Sequence, residues 1–261
     1  MNSVAVKPAR LGINIDHIAT LRQLRGTPYP DLIEAAHIVE AAGAEQITVH
    51  LREDRRHIQD QDVKNLRKNL KIPLNLEMAV APEIVRFAVK LKPEWSCLVP
   101  EKRREVTTEG GLDLERNRKA IGLTIKSLKR AGIKVSLFIE PSLKSVQLSH
   151  ELGADAVELH TGKFCLLTQK ANTVASKLSP AAQKELVRIE KASRLAHSLG
   201  LGAHAGHGFD YENVRWVSQL EGDNRSPLIE EYNIGHSIVS RAVMVGLERA
   251  VREMVSAIQA P

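Results

Sequence analysis

Short apolar runs and helical segments alternate along the whole chain. In four places a helical pattern ends at a glycine and a β-like apolar run follows, which is the usual signature of a turn from helix to strand. Four further apolar runs have the length and composition of strands. The eight predicted strands lie within 11–16, 42–49, 73–78, 95–99, 131–139, 152–159, 199–205 and 232–235.

The segments between these runs have helical periodicity. Apolar residues recur every three or four positions over 32–42 and 186–199, which places them on one face of a helix. Ser179 and Pro180 form a good N-cap and first-turn pair for the second of these helices. Alternating strands and helices predict a parallel sheet. Eight repeats in this length favour one α/β domain, a (β/α)8 TIM barrel over residues 1–261.

An open, doubly wound sheet is the alternative arrangement of the same elements. It often carries a glycine-rich dinucleotide-binding turn after its first strand, and the sequence has Asn14-Ile15-Asp16-His17 there instead. Two connections, 101–112 and 162–179, are longer than usual. We expect both to be loops that act as lids or interface elements.

Composition narrows the class of protein. Hydrophobic residues make up 43% and charged residues 26% of the chain, as in soluble globular proteins. No apolar run approaches the length of a membrane span, and Lys7, Pro8 and Arg10 interrupt the start where a signal peptide would be apolar. We therefore expect a cytoplasmic protein without membrane partners, in which Cys97 and Cys165 are reduced thiols.

The net charge of +6 favours anionic partners. The densest basic cluster, 52–56, is interrupted by two acidic residues, and no platform for stacking bases stands out among few aromatic residues. Phosphorylated small molecules are therefore expected rather than nucleic acid. A basic scaffold or RNA-binding protein is the non-enzymatic alternative.

Ionisable side chains gather at the predicted strand ends, which in a barrel meet at the active-site face. His50, Glu77 and His207 are the candidates for proton transfer, because imidazole titrates near neutral pH and a carboxyl group in a dry mouth has a raised pKa. The structural alternative for Glu77 is an ion pair with a neighbouring arginine. For Glu101 and Glu140 the alternative is a role in loop structure. Metal ligation remains open because separate strands can assemble ligands, although no local metal motif is present.

Two glycine-containing turns predict phosphate binding. Residues 206–208 follow the seventh strand, and 235–237 follow the eighth and open the last helix, where barrels often hold a phosphate. Arg25, Arg52 and His57 are candidates for a second anion clamp, with solvated loop charges as the alternative.

The strand-end motifs closely resemble those of the pyridoxine 5′-phosphate synthase family. They are NIDHIATLR at 14–22, ITVHLREDRRHI at 47–58, NLEMA at 75–79, VPEKR at 99–103, EVTTEGGLD at 105–113, ELHTG at 158–162, AGHG at 205–208 and NIGH at 233–236. The resemblance implies a (β/α)8 barrel that condenses 1-deoxy-D-xylulose 5-phosphate with 3-amino-2-oxopropyl phosphate. The products are pyridoxine 5′-phosphate, inorganic phosphate and water.

The resemblance also implies roles for particular residues. His50 and Glu77 would act as bases, His207 as an acid, and Glu158 would support the transition state. No metal or organic cofactor is implied, and the assembly would be a homo-octamer. Substrate contacts would fall on Asn14, Asp16, His17, Arg25, Arg52, His57, Thr107, Gly208, Gly235 and His236.

Three features depart from the family pattern: His204 stands where an asparagine is expected, 163–179 does not match, and 221–227 resembles an insertion. His204 is expected in the barrel mouth, as one hydrogen-bonding side chain in place of another. The rival enzyme is another sugar-phosphate barrel, such as a Schiff-base aldolase that uses Lys102 or Lys163.

Overall fold

Eight parallel strands close into a barrel in chain order, with the first strand paired to the last. The computed structural model describes residues 7–101, 110–169 and 177–259. The predicted TIM barrel is therefore confirmed, and the open-sheet alternative is wrong. The strands are β1 (Arg10–Asn14), β2 (Gln46–His50), β3 (Leu74–Met78), β4 (Trp95–Leu98), β5 (Lys134–Ile139), β6 (Ala156–His160), β7 (Gly202–Gly206) and β8 (Glu231–Ile234).

Helices surround the barrel and connect its strands. They are α1 (Asp16–Arg25), α2 (Leu32–Ala41), α3 (Asp60–Asn69), α4 (Pro82–Leu91), α5 (Arg118–Arg130), α6 (Leu143–Leu152), α7 (Gly162–Gln169), α8 (Pro180–Ser198), α9 (Val214–Ser218), α10 (His236–Val245) and α11 (Leu247–Gln259).

Local chemistry sets the ends of these elements. The Ser179 hydroxyl accepts a hydrogen bond from the Ala182 N–H, so α8 begins at Pro180 as the sequence predicts. Gly153 follows α6 in the left-handed conformation, with φ of 83°, and the chain turns there towards β6.

Two predicted connections differ from the structure. The expected loop 162–179 begins with the helix α7, in which Phe164 and Cys165 are buried against the core. The turn at 235–237 opens α10 rather than the last helix, because Gly246 separates α10 from α11. The segment resembling an insertion, 221–227, is closed by an antiparallel bridge between Glu221 and Pro227.

The two faces of the barrel sheet have different surroundings. Aliphatic side chains fill the space between the sheet and the helices. Inside the barrel, polar side chains hydrogen-bond across the axis, where TIM barrels more often place branched aliphatic residues. This polar interior supports the site from below. Its buried members include Gln46, Thr48, Asn75, Glu158, His204, Glu231 and Asn233.

Candidate active site

A cavity of about 570 Å³ opens at the carboxyl ends of the strands. It is lined by side chains from strands on all sides of the barrel and by the turns that follow them. Most of the predicted site residues meet here. They are Asn14, Asp16, His17, His50, Arg52, His57, Glu77, Glu158, His207, Gly208, Gly235 and His236.

Two predicted site residues are not placed in this cavity. Arg25 is exposed in the last turn of α1 and does not line it. The helix starts at the cavity with Asp16, and a rise of about 1.5 Å per residue carries Arg25 away along the helix axis. Arg25 therefore does not join Arg52 and His57 at the cavity of this chain, and its role as a substrate contact stays a prediction. Thr107 lies outside the described residues.

Asp16 ties the ends of β1 and β2 together. One carboxylate oxygen accepts a hydrogen bond from the His50 backbone N–H at 2.9 Å, and the other accepts from the Asn14 side-chain amide at 3.0 Å. The bond with Asn14 is local to the turn after β1, where helix α1 begins at Asp16, whereas the bond with His50 joins this turn to the end of β2. They fix the position of the backbone that carries His50.

His50 stands between two carboxyl groups. Its Nδ1 lies 4.0 Å from Glu77 Oε2, and its Nε2 lies 3.7 Å from Glu101 Oε2. Nε2 is buried and has no hydrogen-bond partner among the described residues. A buried ring nitrogen in this state is available to a proton of a bound molecule.

Glu101, for which loop structure was the alternative in the sequence, contacts two residues of the site. Although burial opposes ionisation, contacts with His50 and Arg52 lower the pKa of Glu101. Its Oε1 also accepts a hydrogen bond from the Glu53 backbone N–H at 2.9 Å and lies 3.4 Å from the Arg52 guanidinium. The position of Glu101 directly after β4 was the available signal.

Two buried carboxyl groups at the floor of the cavity favour the protonated form. Burial, followed by the charges of Glu158 and Asp16, raises the pKa of Glu77. Burial and the charge of Glu231 raise the pKa of Glu158 to about 7, against the opposing hydrogen bonds from Asn233 and Cys97. These groups can exchange protons in a range where exposed carboxyl groups are fully ionised.

His207 occupies a strained turn after β7. Its φ of 72° is left-handed, and its carbonyl accepts a hydrogen bond from the Thr161 hydroxyl at 2.9 Å. Its ring lies 4.8 Å from the ring of His160. The residue is partly exposed to the cavity, yet desolvation by the surrounding walls and the charge of His160 lower its pKa. His160 Nδ1 in turn lies 2.9 Å from Glu140 Oε1.

Both glycine turns line the cavity, and the one at Gly235 lies against the end of β1. Gly208 has a φ of 99°, and a Cβ on Gly235 would stand 2.8 Å from the Asn14 carbonyl oxygen. The N-terminus of α10 begins directly after Gly235, so its backbone N–H groups face the same region. The rings of His17 and His236 lie 4.9 Å apart there. This end of the cavity is built for an anion.

The structure corrects the place of His204. It lies inside the barrel beneath the cavity rather than in the mouth, with Nδ1 3.4 Å from Glu231 Oε1 and its ring edge against Trp95. Asn233, which sequence reasoning did not assign to the site, lines the cavity floor. Its place in the NIGH motif at 233–236 was the signal.

One group of side chains among the described residues has a spacing compatible with a metal ion. Ligand atoms of Asp16, His50 and Glu77 all lie within 4.8 Å of one another. Both Asp16 oxygens already accept hydrogen bonds.

In the described part of the chain, no helix is long and apolar enough to cross a membrane.

Comparisons of the whole sequence with known proteins give consistent matches. The family model of the pyridoxal phosphate biosynthesis protein PdxJ matches residues 11–260. The pyridoxine 5′-phosphate synthase of Trichlorobacter lovleyi is 51% identical over 97% of this chain and 100% of its own length. That of Geobacter metallireducens is 51% identical over 96% of this chain and 99% of its own.

Solved structures show the same fold at low sequence identity. The 3-keto-L-gulonate-6-phosphate decarboxylase of Vibrio cholerae has a TM-score of 0.63 at 14% identity, with 98% of this chain and 100% of the decarboxylase covered. A structure described as native KDPGal has a TM-score of 0.60 at 12% identity, with 98% of this chain and 95% of that chain covered. These two likenesses establish the barrel and carry no assignment of activity.

Proposed function

The chain belongs to the PdxJ family of pyridoxal phosphate biosynthesis proteins, and we propose from this premise that it is a pyridoxine 5′-phosphate synthase. It condenses 1-deoxy-D-xylulose 5-phosphate with 3-amino-2-oxopropyl phosphate, and it releases pyridoxine 5′-phosphate, inorganic phosphate and water.

The observation that carries the proposal is the convergence of four ionisable side chains on one cavity. His50, Glu77, Glu158 and His207 come from four different strands or the turns after them. Imine formation between an amine and a ketone, loss of phosphate, ring closure and dehydration each move protons. A cavity that performs all four steps needs several acids and bases within reach of the same substrates.

Each of these four residues has a role that fits its surroundings. His50 and Glu77 act as bases: the Nε2 atom of His50 is unpartnered among the described residues, and a raised pKa makes the Glu77 carboxylate a stronger base once it is ionised. Glu158, with a pKa of about 7, supports the transition state as a hydrogen-bond donor in its protonated form.

His207 acts as the acid. In the empty cavity its lowered pKa favours the neutral ring. A bound phosphate brings negative charge close to the ring, which favours the imidazolium form. Substrate binding therefore prepares His207 to donate its proton.

Two phosphorylated substrates require two anion sites. One consists of the turns at Gly208 and Gly235 with His236 and the N-terminus of α10. The other uses Arg52 and His57, with Asn14, Asp16 and His17 between the two sites. Thr107 and Arg25 complete the proposed substrate contacts; the structure leaves Arg25 exposed on this chain.

The proposal extends to the cofactor requirement, the cellular location and the oligomeric state of the enzyme. The reaction needs no metal or organic cofactor, since every step is a proton transfer, an addition or an elimination. The enzyme works in the cytoplasm as a homo-octamer, with no membrane or nucleic-acid partner. Exposed apolar side chains on α1 and α10, such as Leu24 and Met244, support contacts with other copies.

The aldolase alternative finds little support in the described residues. Lys163 Nζ lies 2.7 Å from Glu185 Oε1, and Lys163 does not line the cavity. Lys102 lies outside the described residues. Borohydride reduction in the presence of a substrate distinguishes the synthase from the aldolase, because only in an aldolase does the reduction trap the substrate on a lysine of the protein.

The direct test is to incubate the purified, metal-free protein with both phosphorylated substrates. We expect pyridoxine 5′-phosphate by mass spectrometry and inorganic phosphate in equal amount by ³¹P NMR. His50→Gln and Glu77→Gln should each abolish most of the turnover. If the active-site residues are intact and no vitamer forms, the proposed function is wrong although the barrel stands.

A further inference from the structure

A chain of hydrogen-bonded side chains lies directly beneath the cavity floor. The Asn233 side-chain NH2 group donates to Glu158 Oε2 at 2.9 Å and to Glu231 Oε1 at 3.3 Å. A primary amide has two N–H donors, so one asparagine can serve both carboxyl groups at once. The carbonyl oxygen of the same amide accepts from the Thr48 hydroxyl at 2.9 Å, which fixes the orientation of the amide.

Glu231 is anchored at the opposite end of this chain. Its Oε1 accepts a hydrogen bond from the Gln46 amide at 2.7 Å, and its Oε2 accepts two from the Arg10 guanidinium at 3.0 and 3.2 Å. The Glu231 side chain is 2% exposed, whereas that of Arg10 is 39% exposed at the amino end of the barrel. This pairing places the positive charge of Arg10 directly against the Glu231 carboxyl group inside the barrel.

Two glycines make room for the chain. A Cβ on Gly12 would overlap the Asn233 side-chain oxygen, and a Cβ on Gly206 would overlap Glu158 Oε1. Neither glycine has a positive φ, so the backbone conformation alone does not require glycine at these positions. The space in the barrel is shaped around the side chains of Asn233 and Glu158.

We propose that Asn233 and Glu231 are positioning residues for Glu158: the Asn233 amide holds the Glu158 carboxyl group at the cavity, and the Arg10-bound Glu231 carboxylate holds the amide. The inference rests on the proposed function, in which Glu158 supports the transition state. Neither Glu231 nor Arg10 lines the cavity. Glu231 therefore acts on the reaction only through its neighbours.

The surroundings of Glu158 indicate what this arrangement does. Glu77 on β3, Cys97 on β4 and Glu231 on β8 face it, and His204 is its register partner on β7. Cys97 is a neutral thiol, since burial raises its pKa. Burial and the charge of Glu231 thus raise the proton affinity of Glu158. The hydrogen bond from Asn233 sets the orientation of the Glu158 carboxyl group.

The first experiment replaces the bridging amide. Asn233→Leu keeps the approximate volume but loses the N–H donors, so we expect kcat to fall roughly ten- to a hundredfold, the effect of losing a hydrogen bond to an ionisable buried group. KM for both substrates should change by less than about threefold, because no contact with the phosphates is removed. Tyr232→Phe is the matched control on the same strand: its buried hydroxyl has no partner among the described residues, and kcat should stay unchanged.

The second experiment removes the buried charge and does not depend on turnover. Glu231→Gln keeps the volume, and we expect the titration midpoint of Glu158, followed by ¹³C NMR of labelled carboxyl groups in the substrate-free protein, to fall by about one pH unit or more. The pH profile of kcat should shift in the same direction. An unmoved Glu158 midpoint in folded Glu231→Gln protein would overturn the electrostatic role of Glu231.

A double substitution distinguishes positioning from general structural damage. In a Glu158→Gln background, Asn233→Leu should cost much less kcat than in the parent protein, because Asn233 acts through Glu158. Equal costs in both backgrounds contradict the inference and leave the synthase activity established. Wild-type protein that makes no vitamer contradicts the proposed function instead, and the Glu158 titration still decides whether Glu231 controls this carboxyl group.

Discussion

At the scale of single residues, the site keeps carboxyl groups where they are costly to ionise. Between about pH 4.5 and 7 the folded protein binds more protons at Glu158 than the unfolded chain does, because burial raises the pKa of this residue in the folded state to about 7. The contribution of Glu158 to the free energy of unfolding is therefore lost as pH rises through this window.

Glu158→Gln should remove this dependence. We expect the variant to gain stability relative to wild type between pH 5 and pH 8, measured by urea denaturation at both values. Glu45→Gln, a change at an exposed glutamate, is the control and should leave the difference between the two pH values unaltered. A wild-type protein that becomes more stable than Glu158→Gln as pH rises would contradict the assignment.

The pKa of His207 should respond to its neighbour. Desolvation lowers this pKa first, and the charge of His160, which Glu140 holds at 2.9 Å, lowers it further. His160→Gln removes that charge, so the titration midpoint of His207 in ¹⁵N NMR should rise. His197→Gln, on the outer helix α8, should leave it unchanged. A midpoint that falls in His160→Gln would show that the two rings do not compete for a proton.

Arg52 should serve one substrate more than the other. Its side chain is 9% exposed and reaches the cavity beside Glu101. Arg52→Ala should raise KM for one phosphorylated substrate by roughly tenfold or more, as expected for loss of a charge-assisted hydrogen bond. Arg67→Ala, remote from the cavity and paired with Glu94, is the control. Equal increases in KM for both substrates would contradict two separate anion sites.

At the scale of elements, the sequence predicted the strands well because each has a local signal. All eight are short apolar runs with a polar residue at or just after their ends, and four of them also follow a glycine at a helix end. The short helix α7 was predicted as loop, since its buried residues Phe164 and Cys165 are adjacent and show no helical spacing. Arg25 lies away from the cavity because α1 extends as far as Arg25, and the motif at 14–22 did not reveal the length of this helix.

The junction of β8 and α10 yields a further prediction. A Cβ on Gly235 would stand 2.8 and 2.9 Å from Asn14 atoms, so Gly235→Ala should push the N-terminus of α10 away from β1. We expect weaker binding of inorganic phosphate and a higher KM for one substrate, measured by calorimetry and steady-state kinetics. Gly122→Ala, inside α5 and at ordinary contact distance from Leu152, should bind phosphate normally and gain stability.

At the scale of the whole molecule, closure of the barrel explains why sequence reasoning found the site. Polar residues at the carboxyl ends of different strands are brought to one face of the barrel once the sheet closes. The bond between Asn233 and Glu158 joins residues 75 positions apart across the barrel axis, and it depends on space left by Gly12 and Gly206. No local pattern contains that information, so the network beneath the cavity was visible only in the structure.

Assembly is the remaining property of the whole molecule. Most of the large exposed apolar side chains of the described residues lie on α1, on α10 or in the turn after α1. The two helices contact each other and both begin at the cavity rim. An exposed apolar surface of this kind is typical of a protein–protein contact, and the proposed homo-octamer would use it between copies of the chain. These side chains are Leu21, Leu24, Tyr29, Val243 and Met244.

A charge placed on this surface should therefore reduce the oligomer mass. Met244 is 80% exposed, so Met244→Asp does not disturb the core of one chain and should shift the mass from light scattering to a smaller species. Leu123→Asp, at a residue 61% exposed on α5, is the matched control and should keep the wild-type mass. An unchanged mass for Met244→Asp, with loss of the oligomer in Leu123→Asp, would place the interface on the opposite side of the barrel.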